Sequence, residues 1–140
     1  NLPGEEKAAE DICSSLSDYM GLVFEDICRE FMVRLAKEGK LPFIPDGFGK
    51  WWGNNPAKKC QDDIDIIGID GNKGIFCECK FRNELFDVSE LNDLLDASAI
   101  FTQIEEKYYY LFSKSGFTKA VKDLAPQYNL KLVTIDDLFD

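Results

Sequence analysis

Four charged side chains interrupt a stretch that otherwise reads as an apolar hairpin: Asp63, Asp65, Glu78 and Lys80, within DDIDIIGIDGNKGIFCECKFR, residues 62–82. Side chains two apart on a strand share a face. Glu78 and Lys80 are therefore neighbours on one face, with Cys77 and Cys79 on the other. If Asp65 stands on the strand alongside, two acids and a lysine converge. Two carboxylates at close quarters repel unless a hard cation lies between them. Mg²⁺ is held by one or two carboxylates, with water completing its octahedron. The bound water becomes more acidic, and a nearby lysine can orient it or stabilise charge developing on a phosphate. The arrangement suits metal-assisted hydrolysis of a phosphodiester, with Mg²⁺ or Mn²⁺ as the cofactor. The bland reading of Glu78-x-Lys80 is a partly exposed ion pair on an edge strand.

The elements that must hold these groups follow from spacing. Ile64, Ile66, Ile67 and Ile69 mark one strand; Ile75, Phe76, Cys77, Cys79 and Phe81 mark the next. Asp70-Gly71-Asn72 is the turn signal between them. Upstream, Leu16, Tyr19, Met20, Val23, Phe24, Ile27, Cys28, Phe31 and Leu35 recur at steps of three and four, predicting a helix over 16–36 that ends at Gly39. Gly21 inside it allows close packing. Glu25 lies beside the stripe, placed either to face the acids or to pair with Arg29. Residues 41–56, rich in Gly, Pro and aromatics, form a loop or β-ribbon. There Trp51 packs over a sheet edge, while Trp52 is open between packing and stacking on a base or partner. A helix over 88–101 with Ser89 as its cap, a buried strand over 108–112, a short helix from 119 stopped by Pro126 and a strand over 130–135 complete the order. Strand–helix–strand alternation in the second half requires parallel pairing there. No internal repeat is present.

The run Asp62-Asp63-Ile64-Asp65, a turn, then Cys77-Glu78-Cys79-Lys80 resembles the core of the PD-(D/E)XK nuclease superfamily. The resemblance implies an α/β, restriction-endonuclease-like mixed β-sheet flanked by helices. It implies catalytic roles for Asp65, Glu78, Lys80 and Glu25, with Asp65 and Glu78 as metal ligands and Glu25 as the acid often found on the first helix. The proline of the motif is absent. Asp63 and Asp65 both remain candidates, the Asp-Ile-Asp-Ile-Ile context favouring Asp65. Gln103 stands near where some members carry a helix glutamine. Together with Tyr19-Met20-Gly21, 24–28 and Trp51-Trp52-Gly53, these segments are similar to the C-terminal nuclease-like domain, of uncharacterised function, in prokaryotic and largely archaeal AAA+-type ATPases. That implies a Mg-dependent deoxyribonuclease, with DNA and an N-terminal ATPase domain of the same chain as partners. The alternative is an inactive module of that fold serving as a protein-interaction or nucleic-acid-binding domain.

Composition bounds these expectations. At 140 residues with 45% apolar content and eleven Phe, the chain is sized for one domain, with residues 1–15 as a linker or short helix and 16–140 as the nuclease-like domain. A start at Asn1 is expected of a piece of a longer protein. There is no apolar run long enough to span a membrane and no Gly-rich Lys-Ser/Thr phosphate loop. Five cysteines in an odd count, with no His, do not form a zinc pattern. They are expected to be reduced and buried, in a cytoplasmic protein. A net charge of −10 weighs against unspecific DNA binding. Its distribution matters more: residues 37–60 carry five cations against two acids, and 86–106 carry six acids and no cation. Nucleic acid would approach from the first side, where Lys50, Lys58, Lys59 and Trp52 are the candidate contacts.

Overall fold

A computed structural model gives the architecture, describing residues 3–55 and 60–140, with side chains over 15–53 and 63–140. Helix α1 spans Pro3–Lys37, so residues 3–15, expected as a linker or short helix, run without a break into the helix expected over 16–36. Strands β1 (Gly49–Asn55), β2 (Cys60–Asp70) and β3 (Lys73–Lys80) follow, then α2 (Val88–Ala99), β4 (Glu106–Ser113), α3 (Lys119–Leu124), a 3-10 turn (Ala125–Gln127), β5 (Leu130–Thr134) and α4 (Ile135–Leu138). The five strands form one sheet in the order β1-β2-β3-β4-β5. The first three are antiparallel, and the β3–β4 and β4–β5 pairs are parallel. This is a mixed α/β fold, a five-stranded sheet flanked by helices.

Two apolar layers lock the helices to the sheet. On one face Phe24, Cys28 and Met32 of α1 bury against Ile66, Ile75, Cys77, Cys79, Tyr110 and Phe112. On the other, Leu91, Leu94 and Ala97 of α2 and Val121 of α3 bury against Ile64, Phe76, Tyr109 and Leu111. Alternation along β3 and β4 sends successive side chains to opposite layers, which is why both strands read as nearly continuous apolar runs.

Local signals set the ends of the elements. The helix α1 stops in a Schellman motif: Gly39 has φ +68, its N–H donates to Ala36 O at 3.2 Å, and Lys40 N–H donates to Leu35 O at 2.9 Å. Gly71, at φ +61, makes the turn that follows the last β2–β3 pair, Asp70 with Lys73. Asp87, not Ser89, caps α2: its carboxylate accepts from Val88 N–H at 2.7 Å, and Glu90 reaches back to its amide at 3.0 Å. The aspartate wins because the cap must stand outside the first turn, and Ser89 is already inside it. Gln103 is exposed in the turn after α2, off any helix.

Two glycines behave oppositely. A Cβ on Gly68 would stand 2.9 Å from the Phe48 ring and 3.0 Å from Pro45 Cβ, so β2 needs glycine where the 41–48 loop crosses it. A Cβ on Gly21 would meet nothing within 4 Å, so this position does not serve close packing. Gly68→Ala is expected to lower stability by about 1–3 kcal/mol through overpacking. Gly21→Ala is expected to raise it by about 0.5–1 kcal/mol by restoring helix propensity. Denaturant unfolding of the two variants checks both signs.

Candidate functional site

The β2–β3 ladder runs from the turn as far as Ile66 opposite Cys77. Beyond it, the Asp65 Oδ2 accepts a hydrogen bond from the Cys79 amide at 2.9 Å. A side chain thus takes the place of a backbone acceptor. On the other side of β2 the register with β1 shifts: Gly49 pairs with Ile67 and Trp51 with Ile64. A single residue, Lys50, opposes Asp65 and Ile66, which is the count of a β-bulge. Burial confirms the slip. Ile64 lies in the α2 layer and Ile66 in the α1 layer, although residues two apart on a regular strand share a face. Asp65 sits where the alternation breaks, only 4% exposed.

Around that break the charged groups form a row. From α1, Glu25 meets Lys50, whose Nζ lies 3.3 and 3.4 Å from its two carboxylate oxygens. Glu25 is not paired with Arg29, which binds Asp26 at 2.8 Å instead. Asp65 interacts with Glu25 on one side and with Glu78 on the other. Glu78 projects on the Phe76 face of β3, and Lys80, two residues on, places its Nζ 3.4 Å from Glu78 Oε1. Lys50, Glu25, Asp65, Glu78 and Lys80 therefore follow one another across the gap between strands. Asp63 lies on the rim: it lines a hollow of about 90 Å³ with Glu78, Lys80, Glu90 and Asp93. Of the two candidate aspartates, Asp65 is the one that the backbone holds between the other acids.

Protonation follows from this crowding. Burial, then the charge and hydrogen bond of Glu78, push Asp65 up from 3.8 to about 7, against the pull of Glu25 and the Cys79 amide. Burial also raises Glu78, opposed by Asp65 and Lys80, and raises Glu25, seconded by Asp65 and opposed by Lys50. Burial pulls the Lys50 ammonium down, but Glu25, Asp65 and Asp63 outweigh it and its pKa rises. The pattern is that of acids forced together, partly neutralised by a shared proton and by a lysine at each end.

Among the described residues no group of three or more His, Cys, Asp or Glu is spaced to hold a metal ion as a ready cage. What converges is an all-oxygen pair, Asp65 and Glu78, with Glu25 beyond. Among the described side chains the thiols are elsewhere: Cys28, Cys77 and Cys79 are free and buried, the last two raised by burial, and they fill the α1 layer, while Cys13 and Cys60 lie outside the described side chains. Larger hollows of about 500 Å³, one beside Tyr108, Tyr110 and Lys131, another beside Leu16, Met20 and Phe81, gather none of these carboxylates.

The remaining candidates separate. Trp51 packs edge-on against Phe101, ring centroids 5.2 Å apart, while Trp52, opposite Asp63 in register, is 67% exposed. Lys50 is engaged by Glu25 in the acid row, a role that sequence reasoning did not assign to it. Lys58 and Lys59 lie outside the described residues. Sequence reasoning also missed Glu90 and Asp93, which α2 brings to the hollow's wall; Glu90 is paired with Arg82. The helical spacing of 90 and 93 placed them on one face without showing which element that face meets.

Comparison with known proteins places the chain among uncharacterised relatives. A family model described as Archaea bacterial proteins of unknown function, DUF234, matches residues 2–94. The uncharacterized protein MJECL04 of Methanocaldococcus jannaschii is 33% identical over 110 residues, 75% of this chain and 24% of that protein. The chain spans about a quarter of the length of this curated relative. Among solved structures, the protein of unknown function AF1548 is similar at 18% identity and a TM-score of 0.48, over 77% of this chain and 61% of that one.

The Asp65 environment has a measurable consequence for stability. Its folded pKa, about 7, lies above the ordinary 3.8, so the folded state binds more protons between those values. Its contribution is most favourable at low pH and is lost as pH rises through about 7. In metal-free buffer, stability should fall across that window by at most about 4 kcal/mol from this group. Asp65→Asn should flatten the fall, as read by thermal melts from pH 4 to pH 8.

Proposed function

This chain belongs to the DUF234 family of archaeal and bacterial proteins of unknown function, and on that premise we propose that its acid row is the centre of a divalent-metal-dependent nuclease of restriction-endonuclease-like type. The observation that carries the reading is that Asp65 and Glu78, from neighbouring strands, meet in a buried gap with the Lys80 ammonium 3.4 Å from Glu78. The donor set fits a hard cation. Two carboxylates with water in the other positions suit Mg²⁺ or Mn²⁺, and among the described residues no third acid completes an all-protein cage.

Such an ion, when bound, supplies an acidified water and a counter-charge for phosphate oxygens. The chain's own residues do the rest. Asp65 and Glu78 present their oxygens, and Asp65 surrenders its proton as the cation binds, so affinity rises with pH. Lys80 orients the attacking water and stabilises charge on the phosphate. Glu25 supports Asp65 from the α1 side, and Lys50 holds Glu25 in place. Exposed Trp52, with Lys50, offers stacking and a cationic contact to DNA along β1, and Lys58 and Lys59, outside the described residues, are the further cationic candidates. An N-terminal ATPase domain and a cytoplasmic setting complete the proposal; no helix among the described residues is long and apolar enough to cross a membrane.

A second reading is favoured by a specific observation: Asp63, Glu90 and Asp93 wall the hollow beside Glu78, and the chain carries a net charge of −10. Those charges repel a phosphodiester, as expected if the fold is an inactive protein-interaction module. Calorimetry separates the two. The nuclease reading predicts Mn²⁺ binding that disappears in Asp65→Ala and in Glu78→Ala, and Mn²⁺-dependent cleavage of DNA that falls about 10²–10³-fold in Lys80→Ala. Absence of binding at millimolar metal, with no product from any DNA form, would establish the inactive module.

A further inference from the structure

Among the described residues, four of the nine exposed large apolar side chains lie on α1: Leu16 (60% exposed), Tyr19 (61%), Leu22 (57%) and Val33 (36%). Tyr19, Leu22, Asp26, Arg29 and Val33 are spaced by three and four residues, the step that keeps side chains on one stripe of a helix. This stripe is opposite the one that buries Phe24, Cys28 and Met32 in the domain. Helix α1 thus carries a second, mixed stripe, apolar at Tyr19, Leu22 and Val33 and charged between them at Asp26 and Arg29. Isolated exposed apolar residues need no explanation, but three on one stripe beside a charged pair offer an association surface.

Charge along the seam identifies the partner. Asp18 and Asp26 lie toward its start, Arg29 and Lys37 toward its end. Two copies of α1 laid antiparallel about the midpoint between Asp26 and Arg29 meet residue i to residue 55 − i. That register sets Leu22 against Val33, Asp26 against Arg29 and Asp18 against Lys37, and symmetry repeats each contact. The same surface serves both copies, as an isologous two-fold contact requires. Within one chain Asp26 and Arg29 already pair at 2.8 Å. Exposed ion pairs of this kind are worth little, so exchanging partners across the seam is cheap. A parallel arrangement would oppose like charges. We propose that the chain forms a homodimer through an antiparallel α1–α1 seam centred between Asp26 and Arg29.

Sedimentation equilibrium of the 140-residue chain over a wide concentration range tests this. A dimer mass is expected. Leu22→Glu should give a monomer while its far-ultraviolet circular dichroism and melting profile stay those of the parent, because Leu22 is exposed. Asp26→Arg alone and Arg29→Asp alone should each weaken association by setting like charges face to face. The double reversal should restore it, which a general loss of folding could not do. A chain that is monomeric throughout, or a dimer indifferent to Leu22→Glu and to both single reversals, would overturn the proposal.

Discussion

Everything at the site depends on a missing rung. Past Ile66 and Cys77, the amide of Cys79 is satisfied by the Asp65 carboxylate rather than by a backbone carbonyl. A buried N–H left without a partner is costly, so the exchange ties the carboxylate to the sheet as firmly as a strand pair would. The bulge opposite Lys50 makes the exchange possible, because the extra residue in β2 moves Asp65 out of the alternating pattern. One backbone irregularity thus opens the gap, aims the acid into it and lets side chains from both faces of the sheet approach one another.

The approach is electrostatically expensive, and the fold meets the expense with opposite charge and protons. Three carboxyls from α1, β2 and β3 crowd a region flanked by Lys50 and Lys80. Burial disfavours the ionised form of all three carboxyls, seconded by Glu78 at Asp65 and by Asp65 at Glu25, and holds each above its ordinary range. Such a group of acids is poor structural glue: an apolar substitute of similar volume is often as stable or more so. That cost is what the proposed cation would offset. The neighbouring apolar layers, each anchored by helices on its own face, supply the rigidity that keeps the acids from relaxing apart.

The regular parts of the fold were open to reading because they rest on short-range patterns. The α1 stripe, the Asp70-Gly71-Asn72 turn and the apolar β4 run each express a local rule. Parallel pairing of β3 with β4 and of β4 with β5 followed from the intervening helices. The alternation Glu78-x-Lys80 put both groups on one face, and there they are. What escaped was long-range or one residue wide. The bulge leaves no mark in the Asp-Ile-Asp-Ile-Ile run, so strict alternation would have put Asp63 and Asp65 on the same face. The Glu25–Lys50 pair joins a helix to a strand 25 residues away, and only tertiary packing could choose Lys50 over the nearer Arg29. Asp87 and Ser89 were both suitable caps by type; the entry of the chain into α2 decided between them.

The central claim of the proposal is that burial, with Glu78 beside it, raises the Asp65 carboxyl to near neutrality and that a cation would take its proton's place. Carbon-13 NMR of carboxyl-labelled protein, titrated without metal and again with Mg²⁺, tests it at the atom concerned, with Asp65→Asn assigning the resonance. The account predicts an Asp65 midpoint near 7 without metal and a marked fall when Mg²⁺ is present. A midpoint in the ordinary aspartate range, unmoved by Mg²⁺, would contradict it.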